Sequence, residues 1–324
     1  MLDALKFVKG AVAPKSFVPE LSHFKIKGGY ITSYNGTMSL CSPIAIDIEA
    51  APKAIPFIKA IEACNEPVSI HLTKANKLGI KSGNFKAFID CLQDQEVPEL
   101  VPSGVMVEAE GEEMPDMTGL LPALKKVFPF IADDASRQWA RGVLFKGQSI
   151  FATNNISLVE HWLPFRFPLT VNVPQEAIKE LLRINENPVG LQMSDNTLTF
   201  HFTDGRWLET QLYETTWPPL QDILNRESAQ REFTPHFFDA LETLLPFADD
   251  MTRAYISPDK IATSPEEQTG STVEIDASPT YGIFNMKQLL LLKTIANTID
   301  FTGYPAPCIF YGDMVRGAIM GMAS

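Results

Sequence analysis

The chain has 324 residues, 45% of them hydrophobic and 20% charged, with a formal net charge of −12. That length calls for two or three domains, and that composition excludes a disordered chain. The charge excludes a general nucleic-acid coat, though not a local basic surface. No apolar run is long enough to cross a bilayer, MLDALKFVKG lacks the apolar core of a secretory signal, and four cysteines without a Cys-x-x-Cys pair point to a reducing cytoplasm.

In chain order, LDALKFVKGAVA (2–13) has helical spacing and carries Lys6 and Lys9, with Lys15 on the loop that follows. HFKIKGGYITSYN (23–35) reads as two strands turning at Gly28-Gly29. A second helix is expected over IPFIKAIEAC (55–64), with Lys53 before it and Lys59 on it, then a strand at 66–72. The acidic stretch VEAEGEEMPD (107–116) reads as a linker. TGLLPALKKVFPFI (118–131) predicts a helix with Thr118 as N-cap, an apolar stripe at Leu121, Leu124, Phe128 and Ile131, and Lys125 and Lys126 beside it. RGVLFKGQSIFATN (141–154) should be strand, turn near Gly147, strand. On PQEAIKELLRI (174–184), Ala177, Ile178, Leu181 and Leu182 form the buried face, and Lys179, Arg183, Glu176 and Glu180 share the opposite one. Strands follow at 187–193 and 197–202. TPHFFDALETLLPF (234–247) predicts a helix with Thr234 as N-cap and Pro235 at its first position. RAYISPDKIATS (253–264) should turn at Pro258-Asp259. NMKQLLLLKTIA (285–296) carries Lys287 and Lys293, and YPAPCIFYGDMVRGAIMGM (304–322) closes the chain in strands.

Two stretches echo each other: PFIADDASR (129–137) and PFADDMTR (246–253). Each ends a helical pattern at an interior proline, Pro129 or Pro246, that should end or kink the helix, and each precedes strands. Followed outward, the echo becomes a unit of helix, strands, helix, strands that occurs three times. The alternating strands fit half-buried antiparallel sheet, so the fold class is α+β with three repeated domains, 1–103, 104–226 and 227–324. Charge divides unevenly among them: eleven Lys against ten acids, ten bases against sixteen acids, and six against thirteen.

Little here carries catalysis. Histidines 23, 71, 161, 201 and 236 are scattered without ligand spacing. Asp133-Asp134 and Asp249-Asp250 are adjacent pairs on loops, which suits a turn better than acid–base work on one substrate. No phosphate-cradling glycine loop or Gly-x-Ser-x-Gly is present. We expect no enzyme, no catalytic residue, no metal and no cofactor. Bases on or beside five helices of six, in an acidic chain, point instead to a positive surface with a purpose.

From about residue 2 to 322 the chain resembles the beta sliding clamp of bacterial DNA polymerase III. The resemblance is carried by the threefold unit, by GVLFKGQSIFATNNISLVEHWLP (142–164) followed by NVPQEAIKELLRI, by YISPDKIATSPEE followed by TVEIDA (272–277), and by the final IMGM. It implies helices inside and sheets outside, half of a six-domain ring closed by a second copy of the chain around duplex DNA. Lys6, Lys9, Lys15, Lys53, Lys59, Lys125, Lys126, Lys179, Arg183, Lys287 and Lys293 would then line the hole or its rim. It further implies a clamp loader that opens the ring, and a DNA polymerase catalytic subunit held in a peptide pocket between the second and third domains. The pocket residues carry over onto Ala140, Thr153, Asn155, Ile156, Ser157, Leu158, Met320, Gly321 and Met322. The chain departs from the family there: Thr-Asp-Gly-His-Arg-Leu becomes Thr153-Asn154-Asn155-Ile156-Ser157-Leu158, and Met-Pro-Met-Arg-Leu becomes MGMAS. A more apolar, less positive groove is expected, in a divergent clamp, phage-encoded or otherwise distant. The alternative is a clamp-fold interaction scaffold that no longer encircles DNA, which Glu176 and Glu180 would favour if they neutralise their helix face.

Overall fold

The computed structural model describes residues 1–93, 97–107, 115–133, 136–214, 216–266 and 268–323. Most of the acidic linker and Asp134 lie outside the described residues. Contacts divide the chain into two compact units: residues 1–117 with 179–212, and residues 118–178 with 213–324.

The first unit holds α1 (Leu2–Val8), α2 (Ala54–Glu62) and two antiparallel sheets. Leu5, Phe7 and Val8 of α1 are buried, and the Ser33 hydroxyl donates to the Val8 carbonyl at the helix end. Phe57, Ile58 and Ile61 form the buried face of α2, each contributing roughly 1.5–3 kcal/mol where burial is complete. The seven-stranded sheet runs Lys25–Lys27, Tyr30–Tyr34, Met38–Pro43, Trp207–Gln211, Thr197–His201, Gly190–Met193 and Val105–Met106. Its centre is the pairing of Leu208 with Leu40 and Trp207 with Cys41, which joins strands more than 160 residues apart. The hairpin at Gly28-Gly29 is as expected: both glycines have positive φ (57° and 78°), and Lys27 pairs with Tyr30. The smaller sheet runs Ala51–Pro52, Phe85–Leu92, Lys77–Ser82 and Ser69–Leu72.

The second unit also combines helices with two antiparallel sheets: α3 (Leu120–Val127), the first turn of α4 (Gln175–Ile184, divided between the units after Ile178), the short α5 (Gln221–Leu224), α6 (Phe237–Leu244) and α7 (Met286–Leu292). Its six-stranded sheet runs Arg231–Glu232, Thr298–Ile299, Cys308–Gly312, Val315–Ile319, Ser157–Pro174 and Gly142–Thr153. Strands Thr272–Glu274, Lys260–Ala262, Arg253–Ser257 and Gly282–Asn285 make the four-stranded sheet. The turn at Pro258-Asp259 is a two-residue hairpin, with Ser257 paired to Lys260.

Several local expectations are corrected. Gly147 does not reverse the chain: Gly142–Thr153 is one strand, whose two halves pair with different stretches of Ser157–Pro174 across register shifts. Gly147 has φ +60°, a conformation that bends a strand where a side chain would resist it. Thr118 is not the cap of α3. Gly119 is, at φ +98°, because a Cβ there would meet Pro164 Cγ at 2.9 Å. Thr234 is likewise early, by two residues: α6 begins after His236 at φ +66°, and the Thr234 carbonyl accepts the Phe237 amide at 3.1 Å. Pro129 and Pro246 do end their α-helices, each passing into a 3-10 turn, Phe128–Phe130 and Leu245–Phe247. Asp249 builds a turn as the echo suggested, accepting from the Arg253 amide at 3.0 Å and its guanidinium at 3.1 Å.

Candidate functional site

The second unit carries a groove of about 190 Å³ lined by Arg137, Trp139, Thr153, Asn155, Ile156, Ser157, Leu158, Leu220, Ile223, Pro307, Ala318 and Met320. Its floor belongs to a buried cluster of Leu144, Phe151, Leu158, Leu224, Ile309 and Ala318, against which Trp217, Leu220 and Ile223 pack. One wall is the segment around α5. The partly buried Arg316 secures it, donating to the Leu224 carbonyl and to Asn225 Oδ1 at 3.2 Å each. Arg316 is itself held by the buried Glu160, at 2.6 Å. Trp139 meets Trp217 edge-on at 5.2 Å across the end of this wall.

The opposite wall is the loop between the two long strands. Its sequence, Thr153-Asn154-Asn155-Ile156-Ser157, closes on itself. Thr153 Oγ1 donates to the Ser157 carbonyl at 2.7 Å, and Asn154 Oδ1 accepts the amides of Ile156 (3.1 Å) and Ser157 (2.8 Å). Asn155 takes φ +70°, a conformation asparagine tolerates better than most residues. Asn154 Nδ2 then donates to Gln288 Oε1 of α7 at 2.7 Å, fixing the loop to the helix. The result presents Ile156 to solvent, 36% exposed, next to Met320, 41% exposed, whose amide donates to the Ile156 carbonyl at 2.8 Å. A largely apolar trough with hydrogen-bonded walls can take apolar peptide side chains.

Of the nine residues expected to form a peptide site, the structure brings six to this groove: Thr153, Asn155, Ile156, Ser157, Leu158 and Met320. Ala140 lies fully buried in the 3-10 turn Gln138–Arg141 and does not line the groove. Gly321 and Met322 leave the groove: the Met322 amide donates to the Ile283 carbonyl at 2.7 Å and Tyr304 Oη donates to the Met322 carbonyl at 2.9 Å. The groove is also less apolar than its loop sequence suggests. Arg137, the arginine that ends the first echo, donates to Asn155 Oδ1 at 3.0 Å and puts a guanidinium in the lining. Sequence reasoning missed Arg137, Trp139, Leu220, Ile223, Pro307 and Ala318. WPPLQDIL (217–224) held the available signal, an aromatic and two apolar residues spaced by three beside the boundary placed near 226.

The bases expected on the helices have different surroundings. Lys6, Lys9, Lys15, Lys53, Lys59, Lys125, Lys179 and Lys287 are exposed. Lys126 is half-buried and donates to the Asp313 carbonyl at 3.0 Å. Lys293 donates to Glu242 Oε1 of α6 at 2.7 Å, and that bond together with Asp239 raises its pKa. Arg183 does not share an open face with Glu180. Glu180 is buried, and Arg183 Nε donates to both its carboxylate oxygens, at 2.8 and 2.9 Å. Arg183 also donates to the carbonyls of Lys6 (3.1 Å) and Phe7 (2.6 Å), tying the end of α4 to α1. The physical reason is local: Gly10 leaves the space that Glu180 occupies, since a Cβ on Gly10 would fall 1.8 Å from Glu180 Oε1. Glu176 is answered by Arg141 at 3.4 Å.

Among the described residues no group of His, Cys, Asp and Glu could hold a metal ion. No helix of the described residues is long and apolar enough to cross a membrane.

No protein-family model and no curated protein matches the chain. Solved structures do. A Caulobacter crescentus DNA polymerase sliding clamp superposes with a TM-score of 0.83 at 18% identity, covering 100% of this chain and 97% of that one. The DNA polymerase III subunit beta of Pseudomonas aeruginosa gives 0.83 at 17% identity over the same shares. A Helicobacter pylori beta clamp bound to a DNA ligase peptide gives 0.78 at 17%, covering 99% and 97%. The chain has the fold of the bacterial beta sliding clamps along its full length, an α+β fold of antiparallel sheets and short helices.

Proposed function

We propose that the protein is a DNA sliding clamp, a processivity factor that encircles duplex DNA as a homodimeric ring and tethers a polymerase through the groove at Ile156 and Met320. The observation that carries this is the likeness to sliding clamps over the whole chain. The ligase peptide on the H. pylori clamp supports a peptide as the groove's ligand. The repeat supports three domains, 1–103, 104–226 and 227–324. It catalyses nothing in this reading, and a clamp loader opens it.

Helix width supports two chains. A helix is about 10 Å wide, so if they lined one hole, the six helices of seven residues or more among the described residues would tile only about 60 Å of circumference and leave roughly 9 Å. The major groove of DNA alone is about 12 Å across. Twelve helices tile about 120 Å and leave roughly 28 Å, enough for duplex DNA and a layer of water.

Two strand edges support closure by pairing. Phe85–Leu92 is covered on one side by Lys77–Ser82, but on the other, among the described residues, pairing is confined to its end, where Cys91 and Leu92 face Pro52 and Ala51 and the Asp90 carbonyl accepts the Lys53 amide at 2.9 Å. Thr272–Glu274 ends its own sheet. Such edges bind other strands. The first carries the exposed Phe88 and Lys86, the second Glu274, so apolar contact and opposite charge favour joining one to the other on a partner copy. The exposed lysines of α1 to α4 and α7 would meet phosphates without regard to sequence. The acidic α6, which engages Lys293, is the feature that favours the alternative, an interaction scaffold that does not encircle DNA.

Topology tests the proposal. Protein loaded on closed circular DNA should stay bound through gel filtration and be lost when the circle is cut. Equal retention on circular and linear DNA would argue for ordinary DNA binding in place of encirclement.

A further inference from the structure

The loop after α1 presents a side chain that the peptide groove and the phosphate contacts leave unexplained. Phe17 is fully exposed (103%), the most exposed large hydrophobic residue described, with Val18 beside it at 49%. The loop around it is built rather than slack. The Ala13 amide donates to the Leu21 carbonyl at 2.7 Å and closes its base. Within it Ser16 N donates to the Ala13 carbonyl (3.0 Å) and Val18 N to Ser16 Oγ (3.0 Å). Pro14 and Pro19 fix φ on either side. A phenylalanine held outward by a closed loop is prepared for a partner.

Charge says which kind. Between Asp3 and Glu20 the sequence has three lysines, Lys6, Lys9 and Lys15, and no acid, in a chain of net charge −12. All three lysines are exposed, and Lys15 is two residues from Phe17. An exposed aromatic ring two residues from an exposed cation matches single-stranded nucleic acid, which offers π faces and phosphates together. A duplex offers phosphates but keeps its bases stacked on one another. A protein partner for Phe17 would need an apolar pocket bordered by acids to use both the ring and the lysines, whereas every nucleotide of a single strand carries a base face and a phosphate.

We propose that this loop is a site for unpaired DNA: the Phe17 ring stacks on an exposed base while Lys15 meets a neighbouring phosphate. It deepens the DNA reading above only in taking DNA as the ligand, since it needs neither a ring nor loading. On a clamp, it would hold single-stranded template where the duplex ends.

The experiment uses the full chain with Phe17→Trp, whose emission reports stacking, alongside Phe17→Ala and Lys15→Ala. The probe is a single-stranded oligonucleotide of about twelve nucleotides, with a blunt duplex as control. The single strand should quench the added tryptophan emission relative to wild type, and the duplex should not. Phe17→Ala should weaken single-strand affinity by about fivefold or more with duplex affinity unchanged. Lys15→Ala should lower the salt dependence by about one phosphate contact. Because Phe17 touches no core, circular dichroism should be unaltered in all variants. Quenching by the duplex as strong as by the single strand would overturn the proposal, as would unchanged single-strand affinity in Phe17→Ala. Retention on circular DNA is read separately, so its loss would count against the ring and not against this site.

Discussion

Arg183 and Lys179 sit four residues apart on one helix and do different work. Arg183 is the counter-ion of a buried carboxylate and a bridge to two carbonyls of α1. Removing it leaves Glu180 charged and poorly solvated, so Arg183→Ala should lower stability by about 1–3 kcal/mol, discounted for the exposure of the guanidinium. Lys179→Ala should change stability by less than about 0.5 kcal/mol. In duplex binding the order should reverse, with Lys179→Ala reducing the salt slope by about 0.9 and Arg183→Ala changing it less. Urea denaturation and salt-titrated anisotropy on both variants check this. Two histidines set a pH dependence at the same scale. Burial pushes the imidazoles of His161 and His201 below their ordinary value of about 6.5. The unfolded chain therefore binds more protons, and stability present above about pH 6.5 is lost as pH falls toward the depressed folded values. The melting temperature should drop between about pH 7.5 and 5.5, and drop less in a His161→Gln, His201→Gln double variant. An equal drop in both would assign the acid sensitivity to other groups.

At the scale of elements, the groove is made mainly by the Thr153–Ser157 loop, the α5 segment and the end of the strand Val315–Ile319, with Arg137, Trp139 and Pro307 completing its lining. The last residues of the chain part company after Met320, which faces the groove, whereas Met322 is bonded toward Ile283 and Tyr304. Met320→Ala should therefore weaken a polymerase-derived peptide by about tenfold, in line with about 1.5–3 kcal/mol for a fully buried side chain of this size. Met322→Ala should weaken it by less than about threefold, a change of under 1 kcal/mol. Calorimetric titration of both variants separates the two. Ile156→Asp should act like Met320→Ala, since it puts a carboxylate in the apolar part of the trough.

At the scale of the molecule, the proposed ring stands or falls on two edges. Phe88 is 61% exposed on one of them. Phe88→Asp should convert a dimer to a monomer at micromolar concentration in sedimentation, without loss of secondary structure, because the side chain lies outside the core of its own unit. A dimer that survives the change would place the interface elsewhere. The same variant should lose topological retention on circular DNA while keeping peptide affinity, because the groove lies wholly within the second unit.

The sequence by itself determined the helices and their basic residues, and most of the groove loop. These are local matters: apolar spacing fixes helix and strand, prolines fix ends, and Thr153–Ser157 closes through its own side chains. It also determined the α+β class, because a strand's alternation survives whatever it pairs with. Tertiary structure decided the rest. Met38–Pro43 pairs with Trp207–Gln211, and Ser157–Pro174 with Val315–Ile319, so sheets join strands far apart in the chain. No periodicity encodes that choice, because an edge strand's backbone donors and acceptors look alike in every strand. The same distance in sequence hid Leu220, Ile223, Pro307 and Ala318 from the groove, and turned Arg183 from a surface cation into the partner of a carboxylate that only the space beside Gly10 could bury.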